Sequence, residues 1–207
     1  KTAILMSRAI PLVDLNKFTS GTEAERKEFV QELGHAFQEF GFVGVINHGI
    51  PKELVEKFYA ESKAFFSLPV EKKEQYELKG LAGQRGYTSF GKEHAKQSNV
   101  GDLKEFFQIG QTVAPDHPLK WEYPDNVNVA EIPEFYKTGR ELYLAFEASG
   151  KNILRAIALY LNLDESYFDD KVFEGNSILR AIHYPPITQE PKSAIRAEQH
   201  EDINLIT

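Results

Sequence analysis

Two side chains near the end of the sequence carry the strongest chemical signal. His200 and Asp202 stand two apart in Ala197-Glu198-Gln199-His200-Glu201-Asp202-Ile203-Asn204-Leu205-Ile206-Thr207. That run reads as a β-strand, and residues i and i+2 of a strand project from one face, so one metal ion would reach both. In a helix the pair would lie about 200° apart around the axis and could not chelate together. An imidazole and a carboxylate suit a first-row metal that accepts both nitrogen and oxygen. Two histidines and one carboxylate on one face of an octahedron leave positions open for O2 chemistry at Fe(II). His200 and Asp202 would supply two of those three ligands, while Glu201 points to the opposite face. The spacing alone is common, and a surface strand with an ion-paired histidine would produce it equally well.

The elements that must position this pair are legible upstream. Ile10 to Leu15 alternates apolar and polar residues as a short strand does, with Pro11 suiting an edge or a strand start. Thr22 is placed to cap a helix whose apolar residues Phe29, Leu33, Ala36, Phe37 and Phe40 keep three- and four-residue spacing, and Gly41 supplies its stop. Phe42 to Asn47 reads as a buried strand, His48 to Pro51 as a turn, and Leu54, Val55, Phe58, Tyr59, Phe65 and Phe66 as the apolar stripe of the next helix, better suited to core packing than to a cofactor. A short helical segment from Pro69 to about Tyr76 follows. Residues 79–101 are glycine-rich and poor in aliphatics, which predicts a long loop of functional or mobile character around Arg85-Gly86-Tyr87. Asp102 to Gly110 returns to a strand pattern in which Phe106-Phe107 breaks strict alternation, and residues 112–132 read as irregular chain. Pro133 opens a helix running to about Leu161, roughly 40 Å long, with Ser149-Gly150 as its expected bend. Ser177 to Tyr184, a Pro185-Pro186 turn and the terminal run complete the order.

Composition narrows the class. The 207 residues are 42% hydrophobic and 12% aromatic, enough for the core of one large domain or most of one. A net charge of -7 without any Lys/Arg block argues against nucleic acid or an anionic membrane surface as partner and favours a small-molecule substrate. The absence of cysteine excludes disulfides and thiolate chemistry and is compatible with a cytoplasmic location. The apolar run near the start, Ala3 to Met6, is too short for a signal-peptide core, and no apolar stretch reaches the ~18 residues of a membrane span.

The terminal His-Glu-Asp-Ile-Asn-Leu-Ile-Thr, together with Leu179-Arg180-Ala181-Ile182-His183-Tyr184-Pro185, closely resembles the isopenicillin N synthase-like family of Fe(II)/2-oxoglutarate-dependent oxygenases. So do Ile10 to Leu15, Gly41 to Ile50 and Asp102 to Phe107, in the family's order from residue 10 to residue 207. The resemblance implies an α+β protein with a mainly β catalytic core, a double-stranded β-helix or jelly roll preceded by a helical buttress. It implies a single oxygenase domain over 1–207, incomplete at the C-terminus before the last core strands, with a helix-rich region over 10–162 and the first iron-binding strands over 177–207. His200 and Asp202 match the first two iron ligands. The third, a histidine, and an Arg-x-Ser anchor for 2-oxoglutarate belong beyond Thr207.

Tyr184 matches the family tyrosine that reaches a carboxylate of the co-substrate or substrate, a role suited to an uncharged donor. A half-buried tyrosine packed on the sheet is the alternative. Arg85 and Tyr87 fall where relatives carry a substrate-contacting loop, and a guanidinium would pair bidentately with a substrate carboxylate; the alternative for Arg85 is a solvated loop arginine. His48 reads as a capping or core residue, and His183 as pointing away from the Tyr184 face. His35, His94 and His117 show no partners in the sequence. The implied reaction couples O2 activation and 2-oxoglutarate decarboxylation to hydroxylation, desaturation or cyclisation of a small organic substrate. Two other readings remain open: a 2-oxoglutarate-independent oxidase like isopenicillin N synthase, and a non-catalytic fragment or interaction module. Nothing in the sequence sets the oligomeric state.

Overall fold

The computed structural model describes residues 9–81, 83–92, 103–188 and 204–207. The described chain is α+β and divides into two compact units, one formed by residues 1–50 and 145–173, the other by 51–144 and 174–207.

In the first unit, β1 (Leu12–Asp14) pairs in parallel with β2 (Gly44–Ile46), Val13 opposite Val45. Between them lie α1 (Leu15–Thr19) and α2 (Glu23–Phe40). Asp14 ends β1 and caps α1, its carboxylate accepting from the Asn16 amide at 2.9 Å. Thr22 and Glu25 form a reciprocal capping box on α2, and Gly41 closes that helix at φ 72, a left-handed conformation glycine adopts without steric cost. Phe29, Val30, Leu33 and Ala36 line the buried face and pack with Val13, Leu15, Phe18 and Ala156. The spacing-based reading of this helix holds from cap to stop. The expected buried strand does not hold in full: β2 is only half-buried, and Phe42 before it is exposed. Among the described residues β2 pairs with β1 alone, which accords with its partial exposure.

In the second unit, α3 (Lys52–Phe66) and α4 (Val70–Lys73) lead into an antiparallel sheet of order β3 (Gly86–Thr88), β4 (Glu105–Gly110), β5 (Ile178–His183). Tyr87 stands opposite Phe107, which in turn stands opposite Ala181. All of β4 is buried, which explains why Phe106-Phe107 breaks the alternation: both faces of this central strand are covered. Phe65 is the hub of the core, its ring 4.9 Å from Phe107 and 5.6 Å from both Tyr87 and Phe135. Tyr59, counted in the apolar stripe of α3, is exposed instead. The long helix α5 (Phe135–Tyr160) runs unbroken through Ser149-Gly150 and begins in this unit. There Gly139 lets the helix lie on β4, since a Cβ at that position would come within 2.2 Å of Ile109 Cδ1.

Among the described residues, the glycine-rich 79–101 stretch contains a strand that pattern reading misses. β3 is three residues long, too short for alternation to register, and its first residue, Gly86, holds φ 71 beside the Tyr76 carbonyl.

Candidate functional site

Of the residues singled out in the sequence, Tyr87 and Tyr184 lie on or next to the β3–β4–β5 sheet, and so does His183. His183 is the last residue of β5 and stands opposite Glu105, the first residue of β4. Its Nδ1 lies 2.8 Å from Glu105 Oε1, and its ring stacks on Phe66 at 5.1 Å. The other carboxylate oxygen, Oε2, accepts from Lys73 Nζ at 2.7 Å and from the Tyr87 hydroxyl. Lys73 also donates to the Phe66 carbonyl at 3.2 Å. One buried carboxylate therefore ties together the α3–α4 junction, β3 and β5.

The electrostatics follow from that arrangement. Burial is the largest influence on Glu105 and pushes its carboxyl up; the bonds from Lys73, Tyr87 and His183 outweigh it and hold the carboxyl below its ordinary range. The Tyr87 phenol is driven well above its ordinary value, first by burial and then by its bond to the Glu105 carboxylate. Both groups thus keep the protonation states that sustain their hydrogen bond at neutral pH.

The next sheet face holds the alternate β5 residues Ile178, Arg180 and Ile182, all exposed. Arg180 Nε donates to Gln108 Oε1 at 2.6 Å, and its guanidinium lies over the Phe106 ring at 4.3 Å. Tyr184 follows immediately and is half-buried.

Arg85 is fully buried, so the solvated-loop alternative does not hold. Its guanidinium donates to the carbonyls of Gln84 at 2.8 Å and Gln111 at 3.3 Å and to Asn176 Oδ1 at 3.2 Å. Burial lowers its pKa from the ordinary value. Tyr87, also buried, spends its hydroxyl on Glu105. His48 caps its own turn, Nδ1 accepting from the Ile50 amide at 3.1 Å. His117 does have a partner: Nε2 lies 2.8 Å from Glu174 Oε2. His35 meets the Tyr160 ring edge-on at 5.8 Å. His200, Asp202 and His94 lie outside the described residues. Among the described residues no group of three or more His, Asp or Glu is placed to hold a metal, and no helix is long and apolar enough to cross a membrane. The Lys73–Glu105 pair was missed from the sequence; its only signal there is a carboxylate directly before the apolar Phe106-Phe107.

Comparison with known proteins agrees with the class these residues suggest. Residues 10–131 match the family described as "non-haem dioxygenase in morphine synthesis N-terminal". The chain belongs to that family, and its relatives are 2-oxoglutarate-Fe(II) oxygenases. It is 29% identical to the 2-oxoglutarate-Fe(II) type oxidoreductase hxnY of Emericella nidulans, over 96% of this chain and 60% of that protein. With the 2-oxoglutarate-dependent dioxygenase ecdK of Aspergillus rugulosus it shares 32% identity over 94% of this chain and 63% of that protein. A crystal structure of a 2OG-Fe(II) oxygenase family protein from Caulobacter crescentus superposes with a TM-score of 0.81 at 39% identity, covering 95% of this chain and 62% of that one. A full-length Neurospora crassa protein crystallised in complex with alpha-KG superposes at 0.77 with 31% identity, covering 93% and 61%. The chain thus spans about three fifths of the length of the curated relatives it matches.

Proposed function

We propose that the complete protein is a non-haem Fe(II) oxygenase that couples O2 activation and 2-oxoglutarate decarboxylation to hydroxylation, desaturation or cyclisation of a small organic substrate. The observation that carries this reading is the family match over residues 10–131 followed, in family order, by a histidine and an aspartate at strand spacing. His200 and Asp202 would hold the iron; a neutral imidazole and a carboxylate are the donor set Fe(II) accepts while leaving positions open. When bound, the iron supplies the O2 and redox chemistry, and the protein supplies ligation, orientation and exclusion of water.

Tyr184 would donate its hydroxyl to the co-substrate carboxylate. For Arg85 and Tyr87 the proposal is narrower than direct contact. With their polar groups engaged by Gln84, Gln111, Asn176 and Glu105, they would bear on the substrate by holding the loop before β3 in place. The antiparallel sheet β3–β5 would be the start of a jelly roll within one cytoplasmic oxygenase domain. In that domain residues 10–162 form the helical buttress and 177–207 the first iron-binding strands.

Aerobic incubation of the complete protein with Fe(II), 2-oxoglutarate and candidate metabolites is expected to release succinate. His200→Ala is expected to lose iron binding while keeping its circular dichroism spectrum; unchanged iron affinity would overturn the ligand assignment. Turnover of a substrate without succinate would assign the oxidase chemistry instead.

A further inference from the structure

We propose that the Glu105–His183 pair is the positioning element for Tyr184; the inference rests on the assignment of Tyr184 to the co-substrate. Tyr184 lies past the last rung of the sheet. Glu105↔His183 is the final β4–β5 pair, so among the described residues Tyr184 lies one position beyond that register. Pro185 follows it, lacks an amide hydrogen, and restricts Tyr184 to extended backbone. With its backbone extended, the face to which the tyrosine projects follows from the placement of the residue before it.

That residue is held from two sides. Its Nδ1 donates to Glu105 Oε1 at 2.8 Å, and its ring stacks on Phe66 at 5.1 Å. Glu105 cannot follow a displaced histidine, because Oε2 is held by Lys73 at 2.7 Å and by Tyr87. Lys73 is in turn tethered to the Phe66 carbonyl, the residue on which the imidazole rests. The carboxylate is pinned from α4 and β3 before β5 reaches it. Bonds to an ionised acceptor are about twice as strong as neutral ones, and this one carboxylate receives three. Successive strand residues project to opposite faces, so anchoring His183 on the Glu105 face sends Tyr184 to the other. Displacing the Tyr184 backbone would twist the peptide they share and pull Nδ1 off Oε1. The arrangement parallels the way carboxylates orient metal-ligating histidines from outside the ligand shell, where loss of the carboxylate costs 10- to 100-fold. Here the group oriented is the tyrosine one residue on. Nδ1 carries the hydrogen in the tautomer that suits the Glu105 carboxylate.

The test uses the complete protein, with Mn(II) in place of iron for binding. His183→Phe keeps a ring over Phe66 and removes the tie; His183→Asn restores a donor near the Nδ1 position. His183→Phe is expected to weaken 2-oxoglutarate binding, measured by calorimetry, about tenfold. It should raise KM for 2-oxoglutarate by the same factor, change kcat at saturation less than twofold, and speed hydrogen exchange in peptides covering 178–184. His183→Asn should recover most of the affinity. Unchanged exchange in His183→Phe would overturn the lock. Faster exchange with unchanged affinity would show a lock that does not position Tyr184, and would equally overturn the proposal. Tyr184→Phe separates the two levels: if it binds 2-oxoglutarate as the unmutated protein does, the co-substrate assignment fails and the inference falls with it. Should His183→Phe not fold, Glu105→Gln in the Lys73→Met background, which keeps the shape, weakens the acceptor and strands no buried lysine, carries the same readouts.

Discussion

Lys73 and Glu105 form an ion pair at 2.7 Å in which each residue is only 5% exposed. Removing one partner of such a pair strands a buried charge, which typically costs about 3–5 kcal/mol, whereas replacing both is often close to neutral. Lys73→Met is therefore expected to lower stability by about that amount in urea unfolding, and Lys73→Met with Glu105→Gln to recover a large part of it. Equal losses in the single and double variants would show that the pair is not coupled.

The same carboxylate sets the acid limb of stability. Its folded titration lies below the ordinary value of 4.5, so as pH falls the unfolded chain takes up this proton first. The contribution is complete above about 4.5 and is lost as pH falls toward the folded value. Thermal unfolding followed from pH 6 downward should lose midpoint less steeply in Glu105→Gln than in the unmutated protein.

Tyr87 sets an opposite limb. Its folded pKa is raised above the ordinary 10.0, so its contribution is complete below that pH and is lost as pH rises through and beyond it. Absorbance titration of phenolate should show one tyrosine that ionises only on unfolding, and that slow component should vanish in Tyr87→Phe. The substitution also deprives the Glu105 carboxylate of a donor, an expected loss of about 1.5–3 kcal/mol.

In the first unit, Thr22 accepts from the Glu25 amide while the Glu25 carboxylate accepts from the Thr22 amide at 2.7 Å. Thr22→Ala removes the side-chain half of this box, while the backbone amide at position 22 still donates to the Glu25 carboxylate, and is expected to cost about 0.5–2 kcal/mol. Hydrogen exchange should rise in the first turn of α2 and not around Phe40. Thr22→Ser should restore protection.

How much of this was legible depended on range. The helix after Thr22 was readable because its cap, apolar spacing and glycine stop lie within a single continuous segment, and α5 because its apolar spacing continues unbroken after Pro133. β3 was not, because three residues carry no period and its pairing with Phe106 and Phe107 is some twenty residues distant. Exposure was the weakest inference: Tyr59 and Phe42 are apolar and lie open, whereas Arg85, read as either substrate-facing or solvated, is fully buried. Charge in a sequence predicts solvent unless partners are visible, and the partners of Arg85 are carbonyls, which no sequence pattern displays. For the same reason Glu105 passed unnoticed: Lys73, Tyr87 and His183 come from three other elements. The pair His200 and Asp202, the proposed iron ligands, was the clearest chemical signal in the sequence, and it lies outside the described residues.

Arg85 offers the sharpest remaining test, because its environment combines a buried cation with a missing side chain. No carboxylate among the described residues bonds to it, and its Nε has no partner there. The guanidinium occupies the space a Cβ on Gly110 would fill, with Cζ only 2.0 Å from that position. Gly110→Ala must therefore displace the guanidinium from Gln111 and Asn176, or shift β4. Overpacking of this kind costs about 1–3 kcal/mol. Arg85→Met removes the charge but leaves the Gln111 carbonyl and the Asn176 side chain short of a donor, at about 1–3 kcal/mol. The two substitutions should not add: with the flexible thioether in place of the planar fork, the alanine methyl meets atoms that can move. In a double-mutant cycle by urea unfolding, Gly110→Ala is expected to cost at least about 0.5 kcal/mol less in the Arg85→Met background, the scale at which contacting residues couple. Strict additivity would mean that Gly110 is required for the strand itself and that its approach to Arg85 is incidental.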